Sequence, residues 1–209
     1  MPERRIQEIP DINRTDYLVA LALGLGALAL YVRTLAPDIL YGDSAEFQTL
    51  AYTLGMTHST GYPVYLLLTR LAGLLPLRSF AWRVNLASAL GAALAVAGVY
   101  VLARHVTRSR VGAALGAAAL ALSYTFWSQA VIAEVYAPGL AFLVAAVLLA
   151  WHWYRAPARA VPALFGAGLL VGLGPGVHAS VGLIAPALAG LVWWAGRARP
   201  EARRVRRRA

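Results

Sequence analysis

Long apolar runs with almost no charge in them dictate what this chain can fold into. A helix crossing the hydrocarbon of a bilayer needs roughly 20 predominantly apolar residues, about 17 to 25 when tilt is allowed. Residues 17–36 and 84–103 meet that requirement directly. Residues 111–126, 137–153 and 179–195 are slightly shorter, and 161–174 is shorter again and ends in Gly174-Pro175-Gly176. Residues 64–77 are also apolar, but Arg70 in the middle and Pro76 near the end suit a helix lying at the interface. The expected fold class is therefore all-α: a polytopic helical membrane protein with about six transmembrane helices, plus interfacial helices in the first external loop.

The charges give this bundle an orientation. The formal net charge is +10, which by itself suggests a nucleic-acid partner. Its distribution argues against one. Fifteen of the 19 basic residues, all of them Arg, fall before the first run, between the second and third, between the fourth and fifth, or after the sixth. With an even number of spans these four groups share one side, which the positive-inside rule makes the cytoplasm. The expected organisation is a cytoplasmic segment over 1–16, a transmembrane domain over 17–195 with an external loop at 37–83, and a basic cytoplasmic tail over 196–209. The tail, with Arg203-Arg204-Val205-Arg206-Arg207-Arg208, reads as a topology anchor touching anionic lipid. The Arg-only basic set and the Ala, Gly and Leu bias suggest a bacterial protein of the inner (cytoplasmic) membrane with both termini inside. The first run is long for a signal-peptide core and is read as an uncleaved anchor. There is no Cys, which excludes disulfides and thiolate chemistry. Small residues recur four apart at Gly112 and Gly116, and at Gly168, Gly172 and Gly176, a spacing that lets membrane helices approach closely.

Carboxylates are scarce outside the N-terminal segment, and most of them lie in one loop. It reads Pro37-Asp38-Ile39-Leu40-Tyr41-Gly42-Asp43-Ser44-Ala45-Glu46-Phe47 and continues to His58-Ser59-Thr60-Gly61-Tyr62-Pro63. Acids beside a bilayer are expensive unless they are paired or used, so function is sought here. On a helix over 44–54, Asp43 and Glu46 have the spacing of a capping box. Equally, one of them has the chemistry of a general base taking a proton from an incoming hydroxyl. Four arginines, Arg33, Arg70, Arg78 and Arg83, fall on the external side, where they either snorkel to the interface or clamp an anionic head group. Arg83, beside Trp82 and Asn85, is the best candidate clamp. His58 and His178 are external and suited to donate to phosphate. Against a metal pair of His58 with Asp43 stands the lack of any H-x-x-x-H spacing, so no metal ligand is assigned here, and whether a divalent metal is required is left unspecified. Glu134, within Phe126-Trp127-Ser128-Gln129 and Ala133-Glu134-Val135-Tyr136, is an acid among aromatics at membrane depth, with either a functional or a capping role.

The order of Gly42-Asp43-Ser44-Ala45-Glu46-Phe47, the 58–65 turn, Trp82-Arg83-Val84-Asn85-Leu86-Ala87-Ser88-Ala89, the two motifs around Glu134, and Gly172-Leu173 to His178 resembles the DUF2723 family. This is the protein O-mannosyltransferase-like group that includes the transmembrane protein 260 type. The resemblance covers about residues 31–190. It implies a GT-C type inverting glycosyltransferase that moves a sugar from a polyprenyl-phosphate-linked donor to a hydroxyl of a protein or glycan acceptor on the external face. Carried onto this chain, Asp43 and Glu46 are the catalytic carboxylates, with Asp43 as base, and His58, Arg83, Glu134 and His178 form the shell around the donor phosphate. Two departures stand out: His58-Ser59-Thr60-Gly61-Tyr62-Pro63 replaces the family's His-Pro-Pro-Gly-Tyr-Pro, and family members are much longer. The alternative implied is a non-catalytic or truncated module that binds a lipid-linked sugar or serves a downstream partner chain as a subunit.

Overall fold

The structure, a computed structural model, describes residues 12–156 and 160–198, and the basic tail and most of the N-terminal segment lie outside them. Among the described residues it is all helical: α1 (Arg14–Arg33), α2 (Asp43–Thr53), α3 (Pro63–Ala72), α4 (Phe80–Thr107), α5 (Arg110–Leu122), α6 (Tyr124–Ala130), α7 (Tyr136–Arg155), α8 (Val161–Leu173) and α9 (Ala185–Ala198). Two 3₁₀ turns, Gly174–Gly176 and Ala179–Ile184, join α8 to α9.

α4 is the pillar, packed by α1, α5 and α7. Its buried face is built of small residues, among them Ala89, Ala92, Ala95 and Val96, which meet Ala20 and Ala27 of α1, Ala113 and Ala117 of α5, and Ala146 of α7. Small side chains let backbones approach, and close packing is what holds helices together where lipid removes the hydrophobic drive. At Gly91 the backbones themselves come close: an added Cβ would stand 2.8 Å from Pro138 Cα. Of the expected four-apart glycines only Gly176 sits at a close approach, where an added Cβ would stand 2.6 Å from Val64 Cγ2 of α3. Gly116, Gly168 and Gly172 face open space, and the close approaches to α4 run through Gly24, Gly91 and Gly98. Large apolar side chains point outward, including Leu18, Leu21 and Leu25 on α1, Leu115 on α5 and Leu169 on α8. This inverted pattern is that of a bundle whose solvent is lipid.

The apolar helical segments follow one another in the order α1, α4, α5 with α6, α7, α8 and α9. Arg104 and Arg110 gather at Asp16 in the first turn of α1, while the acidic loop follows the other end of that helix. Four helical segments are long and apolar enough to cross a membrane: Arg14–Arg33, Phe80–Thr107, Tyr136–Arg155 and Ala179–Arg197. A fifth is α5 with α6, bent by 62° at Ser123. The remaining segment of the six expected, α8, has 13 residues, about 20 Å at the helical rise, against about 30 Å of hydrocarbon. This is a multi-pass membrane protein of four such spans, or five with the bent pair.

The interfacial helix is shorter than the expected 64–77. α3 stops at Ala72, and residues 73–79 turn back to start α4 at Phe80, capped by Ser79 Oγ accepting from the Trp82 amide at 3.2 Å.

At the basic end, Asp16 is fully buried. Its Oδ1 accepts from Arg110 Nε at 2.9 Å, Arg104 Nε at 3.1 Å and the Tyr100 hydroxyl at 3.3 Å. Its other oxygen takes the Asn13 amide, while Asn13 Oδ1 takes the Asp16 amide, closing a capping box at the start of α1. The segment expected as a simple polar lead-in thus ends in the lock that joins α1, α4 and α5. Arg104 and Arg110, expected only to set topology, are its other half.

Candidate functional site

Gly42 opens the site. Its φ of 66° lies in the left-handed region that glycine enters without strain, and from there the backbone turns directly into α2. Helix α2 begins at Asp43 with no side-chain cap, so the expected capping box of Asp43 and Glu46 is absent. The Glu46 carboxylate reaches instead to the turn after α2, where Oε1 accepts the His58 amide at 2.8 Å and Oε2 meets His58 Nδ1 at 2.7 Å. Twelve residues separate them, and no local cap can compete with two charge-assisted bonds to one partner. Asp43 is left exposed, with no hydrogen bond to any described residue.

Hydrogen bonding from His58 holds the Glu46 carboxyl below the usual carboxylate range. The same bond raises His58 above the ordinary histidine range, and the charges of Glu46, Asp43 and Glu134 add to it. Burial pushes Glu134 the other way, above the usual carboxylate range, with the Asp43 charge contributing. The Tyr62 phenol is raised by burial first, then by Tyr136 and by the three carboxylates. Asp43, Glu46, His58, Glu134 and Tyr62 thus form one electrostatic unit.

Aromatic packing seats it. Phe47 is buried and holds the rings of Tyr65 at 5.0 Å, Tyr62 at 5.4 Å and His58 at 5.9 Å. Beneath lies a buried polar frame. Ser88 Oγ on α4 donates to Glu134 O at 2.9 Å, accepts the Glu134 amide at 3.0 Å and meets the Tyr65 hydroxyl at 3.1 Å. That uses the full capacity of a hydroxyl, one donor and two acceptors, with Tyr65 as the donor. Ser44 Oγ donates to Ala133 O at 3.1 Å, tying α2 to the same segment. Gln48 Nε2 donates to Asn85 Oδ1 at 2.8 Å, and Asn85 Nδ2 donates to Ala36 O at 3.0 Å. Sequence reasoning missed the roles of Ser44, Gln48, Tyr65, Asn85 and Ser88. A signal was present for two of them: Asn85 and Ser88 are polar residues at the head of an apolar run.

Two expected members stand apart. The Arg83 guanidinium donates to Leu75 O and Ser79 O and lies over the Phe80 ring at 5.6 Å, so it binds the turn before α4 and does not reach the carboxylates. His178 caps the 3₁₀ turn at Ala179, its Nδ1 2.6 Å from Ser180 Oγ. Tyr136 stands beside it with ring centroids 5.1 Å apart, and the two share a cleft of about 180 Å³ with Gly139, Leu140 and Val181. Arg70 donates to Tyr52 O and lies over Tyr52, while Arg78 lies over Trp82.

Residues 43–201 match the family model described as the protein O-mannosyl-transferase TMEM260 N-terminal domain, and the chain belongs to that family. The matched region begins at Asp43 and takes in every member of the cluster. A curated relative, protein O-mannosyl-transferase TMEM260 of Mus musculus, is 33% identical over 118 residues, which is 56% of this chain and 17% of that protein. The chain therefore spans under a fifth of the length of this relative. No solved structure matches the chain.

Proposed function

From that family membership we propose that this protein is a membrane glycosyltransferase module which moves a sugar from a polyprenyl-phosphate-linked donor to a hydroxyl acceptor on the external face. The basic end faces the cytoplasm on this reading, as the arginine distribution favours, and the acidic cluster faces outward. The observation that carries the proposal is Asp43: a carboxylate whose side chain has no hydrogen-bond partner among the described residues, held at the start of a helix that a buried polar frame locks in place. Its lone pairs are open to an incoming hydroxyl, which is the first requirement of a general base.

In the transfer, the acceptor oxygen attacks the anomeric carbon from the face opposite the phosphate. Its proton passes to Asp43 as the new C–O bond forms. The bond from the anomeric carbon to the phosphate oxygen breaks, and the electron pair leaves with the polyprenyl phosphate, inverting the centre. Glu46 does not compete as base, because His58 occupies both of its oxygens. It is a positioning residue that holds His58 over Phe47. The bilayer fixes the donor at the depth of the cluster and turns part of the encounter into orientation.

Asp43→Asn tests this. It keeps the shape of the side chain and removes the base, so sugar transfer from a polyprenyl-phosphate donor should fall by about 100-fold or more, the usual scale of acid–base catalysis, with expression and melting unchanged. Full activity in that variant would remove Asp43 as base. A second reading has this chain bind the lipid-linked sugar as a subunit beside a partner chain. Transfer that appears only on co-expression with such a chain would establish it.

A further inference from the structure

A donor phosphate brings negative charge to a site that already holds three carboxylates, Asp43, Glu46 and Glu134, with His58 paired to Glu46 beside them. Among the described residues no arginine pairs with any of the three. Arg70, Arg78 and Arg83 are committed to backbone carbonyls and aromatic faces, and Arg33 closes α1. Unbalanced, this end of the bundle repels the leaving group that the reaction has to stabilise.

One ligand atom from each of Asp43, Glu46 and His58 lies within 4.8 Å of the other two. The set is a mixed one, an imidazole nitrogen with two carboxylate oxygens, which suits first-row divalent cations such as Mn²⁺ and Zn²⁺. Two of the ligands are pre-aligned. His58 Nδ1 and Glu46 Oε2 share a proton at 2.7 Å, and a cation replacing it needs them about 3.4 Å apart for bonds of about 2.1 Å. Exposed side chains make that adjustment by small rotations. Phe47 supports the His58 ring from below, and the amide of His58 keeps the second Glu46 oxygen in place.

We infer that Asp43, Glu46 and His58 form a divalent-cation site, resting on the transferase reading for its purpose: the cation's open positions receive a phosphate oxygen of the donor. Three protein ligands leave room for such a group, as sites that act on substrate require. Asp43 ligates through one oxygen and keeps the other toward the acceptor hydroxyl. The cation supplies the positive charge that the nearby arginines withhold, and electrons and protons move as in the transfer above, with no added redox step. Glu134, half-buried behind the three, shapes the field without ligating.

The test uses the full 209-residue chain in nanodiscs, stripped with EDTA and titrated with Mn²⁺, following the electron paramagnetic resonance signal of the free ion. One equivalent should bind, and pulsed spectra of the bound ion should show coupling to one imidazole nitrogen. Asp43→Asn and Glu46→Gln should weaken binding at least about tenfold, and His58→Ala should also abolish the nitrogen coupling, while the control Asp38→Asn stays within about twofold. Melting curves of each variant separate lost ligation from lost fold. No bound equivalent at millimolar Mn²⁺, or equal weakening in Asp38→Asn as in Asp43→Asn, overturns the site and shows only a diffuse counter-ion cloud. Transfer that persists in EDTA alongside absent binding would sink this inference and leave the transferase reading standing. Site-specific binding with no transfer from any polyprenyl-phosphate donor, even with a partner chain, would do the reverse.

Discussion

Two acids at helix N-termini have opposite fates in this molecule. Asp16 lies in the first turn of α1, is fully buried, and takes hydrogen bonds from Arg104, Arg110, Tyr100 and the Asn13 amide. Asp43 is the first residue of α2, is exposed, and has no hydrogen-bond partner among the described residues. The helix end favours negative charge in both cases, so the macrodipole does not distinguish them. Burial and the supply of cations do. A buried carboxylate demands full pairing and becomes structure, whereas an exposed one tolerates an open coordination sphere and is left for chemistry. The acid one turn after Asp43 reinforces the lesson, since both oxygens of Glu46 are taken by His58.

The sharpest way to break the comparison is to delete both acids. Asp16→Ala leaves Arg104 and Arg110 facing an empty buried site and should destabilise the bundle by about 3–5 kcal/mol, the usual cost of breaking a buried pair. Asp43→Ala should stay within about 0.5 kcal/mol, as exposed substitutions usually do. Reversible unfolding in bicelles measures both, and equal losses would mean that Asp43 is a structural acid too.

A smaller effect probes the frame beneath the cluster. Ser88→Ala removes the hydroxyl that serves Glu134 N, Glu134 O and Tyr65 at once, and should cost about 1–3 kcal/mol, the range for leaving buried polar groups unpaired. Because Ser88 holds the Glu134 backbone and touches no substrate, the transfer rate should fall further than stability alone explains. A rate that follows only the folded fraction would make the frame generic packing.

The smallest effect is a titration. His58 is raised by Glu46, so its share of the pair's stabilisation is complete below about pH 6.5 and is lost as pH climbs through the folded value. Glu46 is lowered, so its share is complete above about pH 4.5 and is lost as pH falls through the folded value. Both charges therefore coexist across about pH 4.5 to 6.5 and a little beyond each edge. In metal-free buffer, the ring signals of His58 should titrate above the ordinary histidine range, and Glu46→Gln should bring them down toward it, with Asp43 and Glu134 supplying what remains. An unchanged midpoint in Glu46→Gln would show that the 2.7 Å contact is absent in solution.

The apolar runs were legible because length and composition alone decide whether a helix suits a bilayer. The structure returns helices over the long runs, and α2 starts one residue before the expected 44–54. The capping box was misplaced. Its spacing occurs at Asp43 and Glu46, but the box itself forms at Asn13 and Asp16, where Asp16 is buried and further held by Arg104 and Arg110. The bend at Ser123 and the shortness of α8 left the membrane count at four or five. Arg83 looked like a clamp because guanidinium suits phosphate, yet the carbonyls of Leu75 and Ser79 lie nearer to it in space.

By itself, then, the amino-acid order determined the solvent of this protein, the positions of its long helices, which end is basic and which is acidic, and the family motifs that bracket Asp43. These are properties of local composition and of charge counted along the chain. Only the tertiary structure decided which charges meet. Asp16 finds Arg110 across 94 residues, Glu46 finds His58 across 12, and Ser88 reaches Glu134 across 46. Hydrogen bonds act over about 3 Å, and the approach of α4 to its neighbours at small residues brings distant parts of the chain within that range.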